Sequence, residues 1–171
     1  TLESLKPIKK EQLAIMSVDY FGRPSDMKKI NAIAKKYKLK TISDTAQAIG
    51  AIYYGKFAGT LADIGGYSLN YHKTIHTGEG GILVTNNSNL ALRLKLIRNH
   101  AEAVVGKFKI KNISGLIGRN YRLGEIEAAI GIEQLKKLNY LVKEKQNWAN
   151  QLIKGLQKLK GLSLPIMPKH I

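Results

Sequence analysis

Two residues of this 171-residue sequence carry groups that could do covalent chemistry or bind a ligand. Asp44 lies at the end of a predicted strand, residues 39–43, and the carboxyl ends of parallel strands are where open α/β sheets place ligands. Lys73 precedes the glycine-rich run Thr77-Gly78-Glu79-Gly80-Gly81. A lysine held in a partly dry pocket loses part of its preference for charge and becomes an amine nucleophile. Taken alone, Asp44 fits equally well as a cap of the next helix, and Lys73 as a surface lysine.

Two further polar positions are candidates for binding an anion. Ser68 lies five residues before Lys73, close to glycines that allow a ligand to approach the backbone. Hydroxyls and free amides in such turns can hold a phosphate. Asn120 belongs to a polar cluster, residues 118–122, that precedes a predicted helix. An N-capping asparagine with exposed arginines explains that cluster without any ligand.

The elements that must position Asp44 are predicted as a β-α-β unit. Ala14–Val18 is a short apolar run typical of a buried strand, and residues 39–43 form a second strand that ends at Asp44. Between them, Ser25 is predicted as the N-cap of a helix, with Asp26 in its first turn. The apolar residues that share one face of this helix are Met27, Ile30, Ile33, Ala34 and Tyr37. Because such crossovers are right-handed, the two strands are expected to be parallel.

The remainder of the chain is predicted to hold shorter strands and longer helices. Strands are expected at residues 67–69 and 81–85, followed by a helix that Asn87 or Ser88 caps and that runs to about His100.

The last third is predicted as a loop and then a helical region. Residues 103–118 show no clear period and are expected to be a loop. Residues 123–159 show a helical pattern too long for one ordinary helix, so we expect a break near Asn139. Gly161 is expected to end the helical region, and residues 162–165 are typical of an opening strand.

Composition excludes several classes of protein. The chain has no cysteine, which rules out disulfides and thiolate sites and favours the cytoplasm. No apolar stretch approaches the roughly 18 residues that a membrane span needs. Lysine and arginine outnumber acidic residues 28 to 12, giving a net charge of +16. These lysines fall on the polar faces of predicted helices without interleaved aromatics, which is typical of a solvated surface rather than a nucleic-acid site.

Taken together, these segments resemble the DegT/DnrJ/EryC1/StrS family of sugar aminotransferases. The resemblance extends from about residue 14 to residue 164 and is carried by motifs in a fixed order. These are Tyr20-Phe21-Gly22-x-Pro24-x-Asp26-Met27, Asp44-Thr45-Ala46-Gln47-Ala48-x-Gly50-Ala51, Ser68-x4-Lys73-x3-Thr77-Gly78-Glu79-Gly80-Gly81, Val84-Thr85-Asn86, Leu96-x-Arg98-x-His100 and Asn120-Tyr121-Arg122-Leu123-x-Glu125.

The resemblance implies a role for each candidate residue around pyridoxal 5'-phosphate. Lys73 would bind this cofactor covalently and move the proton, and Asp44 would pair with the pyridine nitrogen. Gln47 would lie beside the ring, and Ser68 would contact the phosphate. Asn120 would reach the phosphate of the cofactor in the neighbouring subunit of a homodimer. Some family members carry histidine in place of the lysine and dehydrate their substrate, whereas the spacing of Lys73 to Thr77 here favours transamination.

The resemblance also implies the fold and the reaction. The expected fold is α/β, part of the three-layer large domain of the PLP-dependent transferases (fold type I). Residues 1–140 would belong to that cofactor-binding domain, and residues 141–171 would form a helix leading into a C-terminal small domain. Because family enzymes are considerably longer, we expect a fragment or a truncated product. The expected reaction moves an amino group from a donor such as glutamate to a nucleotide-linked keto-sugar. Two alternatives remain, a basic module that binds nucleic acid or another polyanion, and a catalytically inactive fragment.

Overall fold

The computed structural model of the chain describes residues 13–102 and 115–165. Within these residues it contains six strands, three α-helices and one short 3-10 helix. The strands are β1 (Ala14–Val18), β2 (Lys40–Asp44), β3 (Ile52–Tyr53), β4 (Lys56–Phe57), β5 (Ile64–Ser68) and β6 (Gly81–Val84). The helices are the 3-10 turn Tyr20–Gly22, α1 (Met27–Tyr37), α2 (Ser88–Arg98) and α3 (Glu125–Leu156).

Four strands form the central sheet in the order β1-β2-β5-β6. β1 pairs with β2 and β2 with β5 in parallel, while β5 and β6 are antiparallel. The register aligns Val18, Asp44, Gly66 and Leu83 in one row across the four strands. The predicted β-α-β unit with parallel strands is therefore confirmed, and Asp44 is the last residue of an interior strand.

Helix α1 begins one residue later than the sequence pattern predicts. Asp26, not Ser25, is the N-cap, because its carboxylate accepts a hydrogen bond from the Lys29 amide at 3.2 Å. The Ser25 amide instead donates to the Asp19 carboxylate at 2.7 Å. The helix packs on one face of the sheet through Met27, which lies in a cluster with Tyr53 and Ala62. Lysine side chains and much of Ile33 and Tyr37 face away from this cluster.

The strand that precedes the Lys73 segment starts earlier than predicted. The sequence pattern indicates a strand at residues 67–69, whereas β5 covers Ile64–Ser68. The adjacent glycines Gly65 and Gly66 disfavour a strand by their backbone entropy. A Cβ atom on Gly65 would lie 2.0 Å from the carbonyl oxygen of Gly59, so the close passage of that backbone requires glycine in this strand.

Helix α2 agrees with its prediction, since Asn87 caps it by accepting hydrogen bonds from the Asn89 and Leu90 amides. Helix α3 does not, because it runs without a break through Asn139 from Glu125 to Leu156. Asn139 is exposed to solvent, and the buried Leu138 beside it packs against Leu69 and Ile75. This packing stabilises the continuous helix, in which an exposed asparagine costs little.

The two ends of the last third differ from the predicted boundaries. Helix α3 ends at Leu156 rather than at Gly161, and residues 162–165 contain no strand. The predicted loop at residues 103–118 lies largely outside the described residues, which resume at Gly115.

Candidate active site

A cavity of about 300 Å³ lies on the face of the sheet opposite helix α1. Its floor is apolar, and two of the residues predicted to bind a ligand, Asp44 and Ser68, line it together. The residues around it are Met16, Ile42, Ser43, Asp44, Ala46, Ile64, Gly66, Tyr67, Ser68, Gly80 and Leu83. Asp44 and Ser68 reach the cavity because side chains alternate along a strand and both positions lie on the same face of adjacent strands.

The Asp44 carboxylate retains hydrogen-bonding capacity. Its Oδ1 atom accepts a hydrogen bond from the Ala46 amide at 3.0 Å, which is the one hydrogen bond to this carboxylate among the described residues. The residues that follow form turns rather than a helix, so Asp44 is not a helix cap. A half-buried carboxylate with one oxygen still able to accept a proton or a hydrogen bond can pair with a cationic ring nitrogen.

Lys73 lies on the loop, residues 69–80, that connects the antiparallel strands β5 and β6 beside this cavity. Backbone hydrogen bonds close the base of this loop, from the Leu69 amide to the Gly80 carbonyl and from the Thr77 amide to the Leu69 carbonyl, both at 2.9 Å. The Lys73 amide donates to the Asn70 carbonyl, also at 2.9 Å. Lys73 is half-buried: Tyr71 and His72 before it are exposed, and Ile75 after it is buried. The sequence-predicted nucleophile is thus carried by a closed loop and not by a free surface segment.

Side-chain hydrogen bonds stabilise the Lys73 loop. The side-chain amide of Asn70 donates to the Glu79 carboxylate at 2.6 Å, and the Thr77 hydroxyl donates to the Glu79 carbonyl at 2.7 Å. Helix α3 supports the loop from outside, since the Lys145 ammonium group donates to the Thr74 hydroxyl at 2.9 Å.

The same helix also packs its apolar side chains against the loop. Leu138 forms a buried cluster with Leu69 and Ile75, and Val142 packs against it. Gly131 allows the helix to approach closely, because a Cβ atom there would lie 3.2 Å from the Thr77 methyl group. Loop and helix therefore form one packed unit that fixes the backbone of Lys73.

Ser68 is the last residue of β5 and directly precedes the Lys73 loop. Its hydroxyl oxygen accepts a hydrogen bond from the Asn70 amide at 3.2 Å. Because a hydroxyl is also a donor, its hydrogen can still be directed to an anion in the cavity.

Gln47 and Asn120 do not line the cavity. Gln47 is exposed, and its side-chain carbonyl accepts a hydrogen bond from the Phe21 amide at 3.0 Å, which ties it to the 3-10 turn. Asn120 is exposed beside the end of helix α2, where its backbone forms an isolated antiparallel β-bridge with Asn99. Its side-chain oxygen accepts a hydrogen bond from the Arg122 amide at 3.4 Å. Nor is Asn120 the N-cap of helix α3, because Gly124 holds that position.

Sequence reasoning missed two residues next to the site. Asp19 is buried and donates its amide to the Asp44 carbonyl at 2.9 Å. Tyr67 lines the cavity, and burial together with the negative charge of Asp19 raises the pKa of its hydroxyl. The position of Asp19 directly after the first strand is a signal that marks it as a candidate, because Asp44 likewise lies at the end of the second strand.

Residues 13–102 and 115–165 contain no cluster of histidine, aspartate and glutamate able to hold a metal ion. No helix in these ranges is long and apolar enough to cross a membrane.

Comparison with known proteins identifies the family. Residues 4–170 match the model of the DegT/DnrJ/EryC1/StrS aminotransferase family. The UDP-4-amino-4,6-dideoxy-N-acetyl-beta-L-altrosamine transaminase of Campylobacter jejuni is 37% identical over 85% of this chain and 38% of its own length. GDP-perosamine synthase of Escherichia coli O157:H7 is 38% identical over 85% of this chain and 39% of its own length. The chain thus spans about two-fifths of the length of these curated relatives.

Solved structures show the same fold. A Helicobacter pylori aminotransferase involved in the biosynthesis of pseudoaminic acid superposes with a TM-score of 0.78 at 32% identity, over 91% of this chain and 42% of that one. A DegT/DnrJ/EryC1/StrS aminotransferase from Brucella abortus superposes with a TM-score of 0.85 at 29% identity, over 99% of this chain and 44% of that one. The predicted fold class, part of a PLP-dependent aminotransferase, is therefore confirmed. The chain belongs to the DegT/DnrJ/EryC1/StrS aminotransferase family.

Proposed function

We propose that this chain forms the cofactor-binding part of a pyridoxal-phosphate enzyme that transfers an amino group from an amino-acid donor, such as glutamate, to a nucleotide-linked keto-sugar. The family and the names of the relatives support this reaction. Because the chain covers about two-fifths of those relatives, the activity is proposed for the protein as a whole. Neither the family nor the relatives favour the polyanion-binding alternative.

The observation that carries the proposal is the shared cavity of Asp44 and Ser68 with Lys73 on the loop directly after Ser68. Pyridoxal phosphate presents three features to a protein: an aldehyde, a pyridine nitrogen and a phosphate. The cavity offers a carboxylate with free acceptor capacity and a hydroxyl that can donate, and the amine of Lys73 is carried by the loop that follows Ser68. Gly66 and Gly80 line the same cavity without side chains, so a planar ring can approach the backbone. These residues fit the cofactor.

Each residue would act through a defined atom. Lys73 Nζ would hold the cofactor covalently and then carry a proton, because a desolvated amine can act both as nucleophile and as base. The Asp44 carboxylate would pair with the protonated ring nitrogen, and the Ser68 hydroxyl would donate to the phosphate. When bound, the cofactor supplies an electron sink that stabilises carbanions next to nitrogen. The apolar floor of the cavity would exclude water from this chemistry.

The exposed positions of Gln47 and Asn120 suit residues that act at the margin of the site. We place Gln47 next to the cofactor ring and Asn120 at the phosphate of the cofactor in a second copy of the chain, within a cytoplasmic homodimer. The exposure of Asn120, away from the cavity of its own chain, supports an intersubunit role. We also propose that residues 1–140 belong to the cofactor-binding domain and residues 141–171 lead into a smaller one.

A spectroscopic titration tests the proposal. Adding pyridoxal phosphate to the protein should produce a yellow species that absorbs from the near-ultraviolet to the violet and that borohydride bleaches. Lys73→Ala should abolish the protein-bound band, whereas the control Lys56→Ala, on the exposed strand β4, should leave it unchanged. A wild-type protein that never develops the band would contradict the proposed cofactor.

A further inference from the structure

The carboxylate of Asp19 is buried without a cation beside it. Asp19 follows the last residue of β1 and is only 1% exposed to solvent. The ion pairs of the described residues join Lys29 to Asp26, Lys40 to Asp63 and Lys136 to Glu133, and none of them involves Asp19. A buried charge is costly unless donors surround it. The burial of Asp19 must therefore be explained by the groups that donate hydrogen bonds to it.

The donors to Asp19 flank Asp44 on both sides. Asp19 Oδ2 accepts hydrogen bonds from the Ser43 hydroxyl at 3.0 Å and the Thr45 hydroxyl at 2.8 Å. Both donors are 0% exposed, and their hydroxyl oxygens lie 3.1 Å apart. The Asp19 amide also donates to the Asp44 carbonyl at 2.9 Å, and Asp19 Oδ1 accepts from the Ser25 amide at 2.7 Å. One buried residue thus holds the main chain immediately before, at and after Asp44.

The hydrogen bonds to Asp19 also determine where the Asp44 side chain points. The Ser43 and Thr45 side chains are directed towards Asp19. Because side chains alternate along a strand, the Asp44 side chain between them is directed to the opposite face, where it lines the cavity. The network leaves little room to shift. A Cβ atom on Gly59 would lie 2.8 Å from the Thr45 hydroxyl and 2.7 Å from the Tyr67 hydroxyl.

We propose that Asp19 is the positioning residue for Asp44: its carboxylate fixes Ser43 and Thr45, and so fixes the backbone that aims the Asp44 carboxylate into the cavity. The consequence for pyridoxal phosphate rests on the function proposed above, whereas the consequence for the backbone does not. Charge-assisted bonds to a carboxylate are shorter and stronger than neutral ones, which explains why an aspartate and not an amide holds this position.

Asp63 provides a control that contacts the start of β2, away from Asp44. Its Oδ2 atom accepts hydrogen bonds from the Thr41 amide at 2.9 Å and the Thr41 hydroxyl at 3.2 Å, and, unlike Asp19, it also pairs with Lys40 at 2.9 Å. Asp63→Asn should therefore disturb strand β2 without touching Asp44. A second pair of variants tests the hydrogen bond between Asp19 and Thr45 by changing Thr45. Thr45→Val removes the donor hydroxyl, and Thr45→Ser retains it.

Amide hydrogen exchange on the chain without cofactor is the first measurement. The Ala46 amide reports directly on Asp44, because it donates to the Asp44 carboxylate. Asp19→Asn and Thr45→Val should accelerate its exchange, relative to the amides of helix α1, by roughly tenfold or more, the effect of losing a bond to a charged group. Thr45→Ser and Asp63→Asn should leave that ratio near the wild-type value. Equal acceleration in Asp63→Asn and Asp19→Asn, or none in Thr45→Val, would overturn the proposal.

Titration with pyridoxal phosphate is the second measurement. Asp19→Asn should weaken binding by roughly tenfold more than Asp63→Asn does, because misplacing Asp44 weakens a charge-assisted contact. Equal weakening by the two variants would contradict Asp19 as the positioning residue for the cofactor. If the wild-type protein binds no pyridoxal phosphate, the proposed function fails, and the exchange ratios still decide whether Asp19 positions Asp44.

Discussion

Gly65 of strand β5 should tolerate no side chain. A Cβ atom there would lie 2.0 Å from the carbonyl oxygen and 2.6 Å from the carbonyl carbon of Gly59. Both are backbone atoms, so no rotamer change relieves the clash and the segment around Gly59 must move. Forcing extra volume into a packed site typically costs about 1–3 kcal/mol, and a backbone clash belongs at the upper end. For a chain of this size, about 3 kcal/mol lowers the melting temperature by roughly 6–12 °C.

The neighbouring Gly66 supplies the control. Its Cβ atom would point to the opposite face, where the nearest atom is a Leu83 methyl group at 3.4 Å, an ordinary contact distance. Gly66→Ala should therefore keep the melting temperature within a few degrees of the wild type, because relief of glycine's backbone entropy offsets the contact. Since Gly66 lines the cavity, the same methyl group should nevertheless weaken the binding of pyridoxal phosphate.

Thermal unfolding followed by circular dichroism, together with urea titration, compares the two variants. We expect a lower midpoint for Gly65→Ala alone and weaker cofactor binding for Gly66→Ala. If the two variants have equal melting temperatures, the close contact between the Gly59 backbone and Gly65 does not explain why strand β5 carries a glycine at this position.

Three more changes probe the helix, the acid sensitivity and the site. Leu138→Ala should lower the free energy of unfolding in urea by about 2–5 kcal/mol, because it leaves a cavity in the cluster that packs against the Lys73 loop. Leu135→Ala, on an exposed face of the same helix, should change it by no more than about 0.5 kcal/mol. Equal losses of stability in the two variants would refute the packing. The hydroxyl of Tyr53 and then Lys29 lower the pKa of Asp26 to about 2 from 3.8, so the stability contributed by Asp26 is complete above pH 3.8 and is lost as the pH falls towards 2. Tyr53→Phe should therefore shift acid unfolding to higher pH, and an unchanged acid transition would contradict this link. Asp44→Asn should lower turnover more than it weakens cofactor binding in a coupled transaminase assay, and unchanged turnover would remove Asp44 from the chemistry.

Local patterns predicted the parallel strands β1 and β2 and the helices α1 and α2. Strand β1, the crossover and Asp44 at the end of β2 follow from short apolar runs and a helical apolar face, which are properties of neighbouring residues. The N-cap of α1 differed by one residue because the Ser25 amide is engaged by Asp19, a contact that no helix rule describes.

Features that depend on distant residues were not predictable. The glycines of β5 disfavour a strand locally and are required by the Gly59 backbone. Helix α3 is continuous through Asn139 because Leu138 packs against the Lys73 loop, residues that are far away in sequence. The hydrogen bonds of Asp19 were not predictable for the same reason, since its partners Ser43 and Thr45 lie 24 and 26 residues away. Lys73, Asp44 and Ser68 were predicted as site residues from motifs, and Asp44 and Ser68 line one cavity in the fold.

Identification of the lysine that carries the cofactor tests the central claim most directly. The protein is incubated with pyridoxal phosphate, reduced with borohydride and digested, and the modified peptide is located by mass spectrometry. Lys73 is the only lysine between Lys56 and Lys95, so the peptide that contains it is easily distinguished. We predict that the reduced cofactor is found on Lys73 and that Lys73→Ala abolishes the labelling while the circular dichroism spectrum is retained. Stoichiometric labelling of a different lysine, or undiminished labelling of Lys73→Ala, would contradict the assignment of the site.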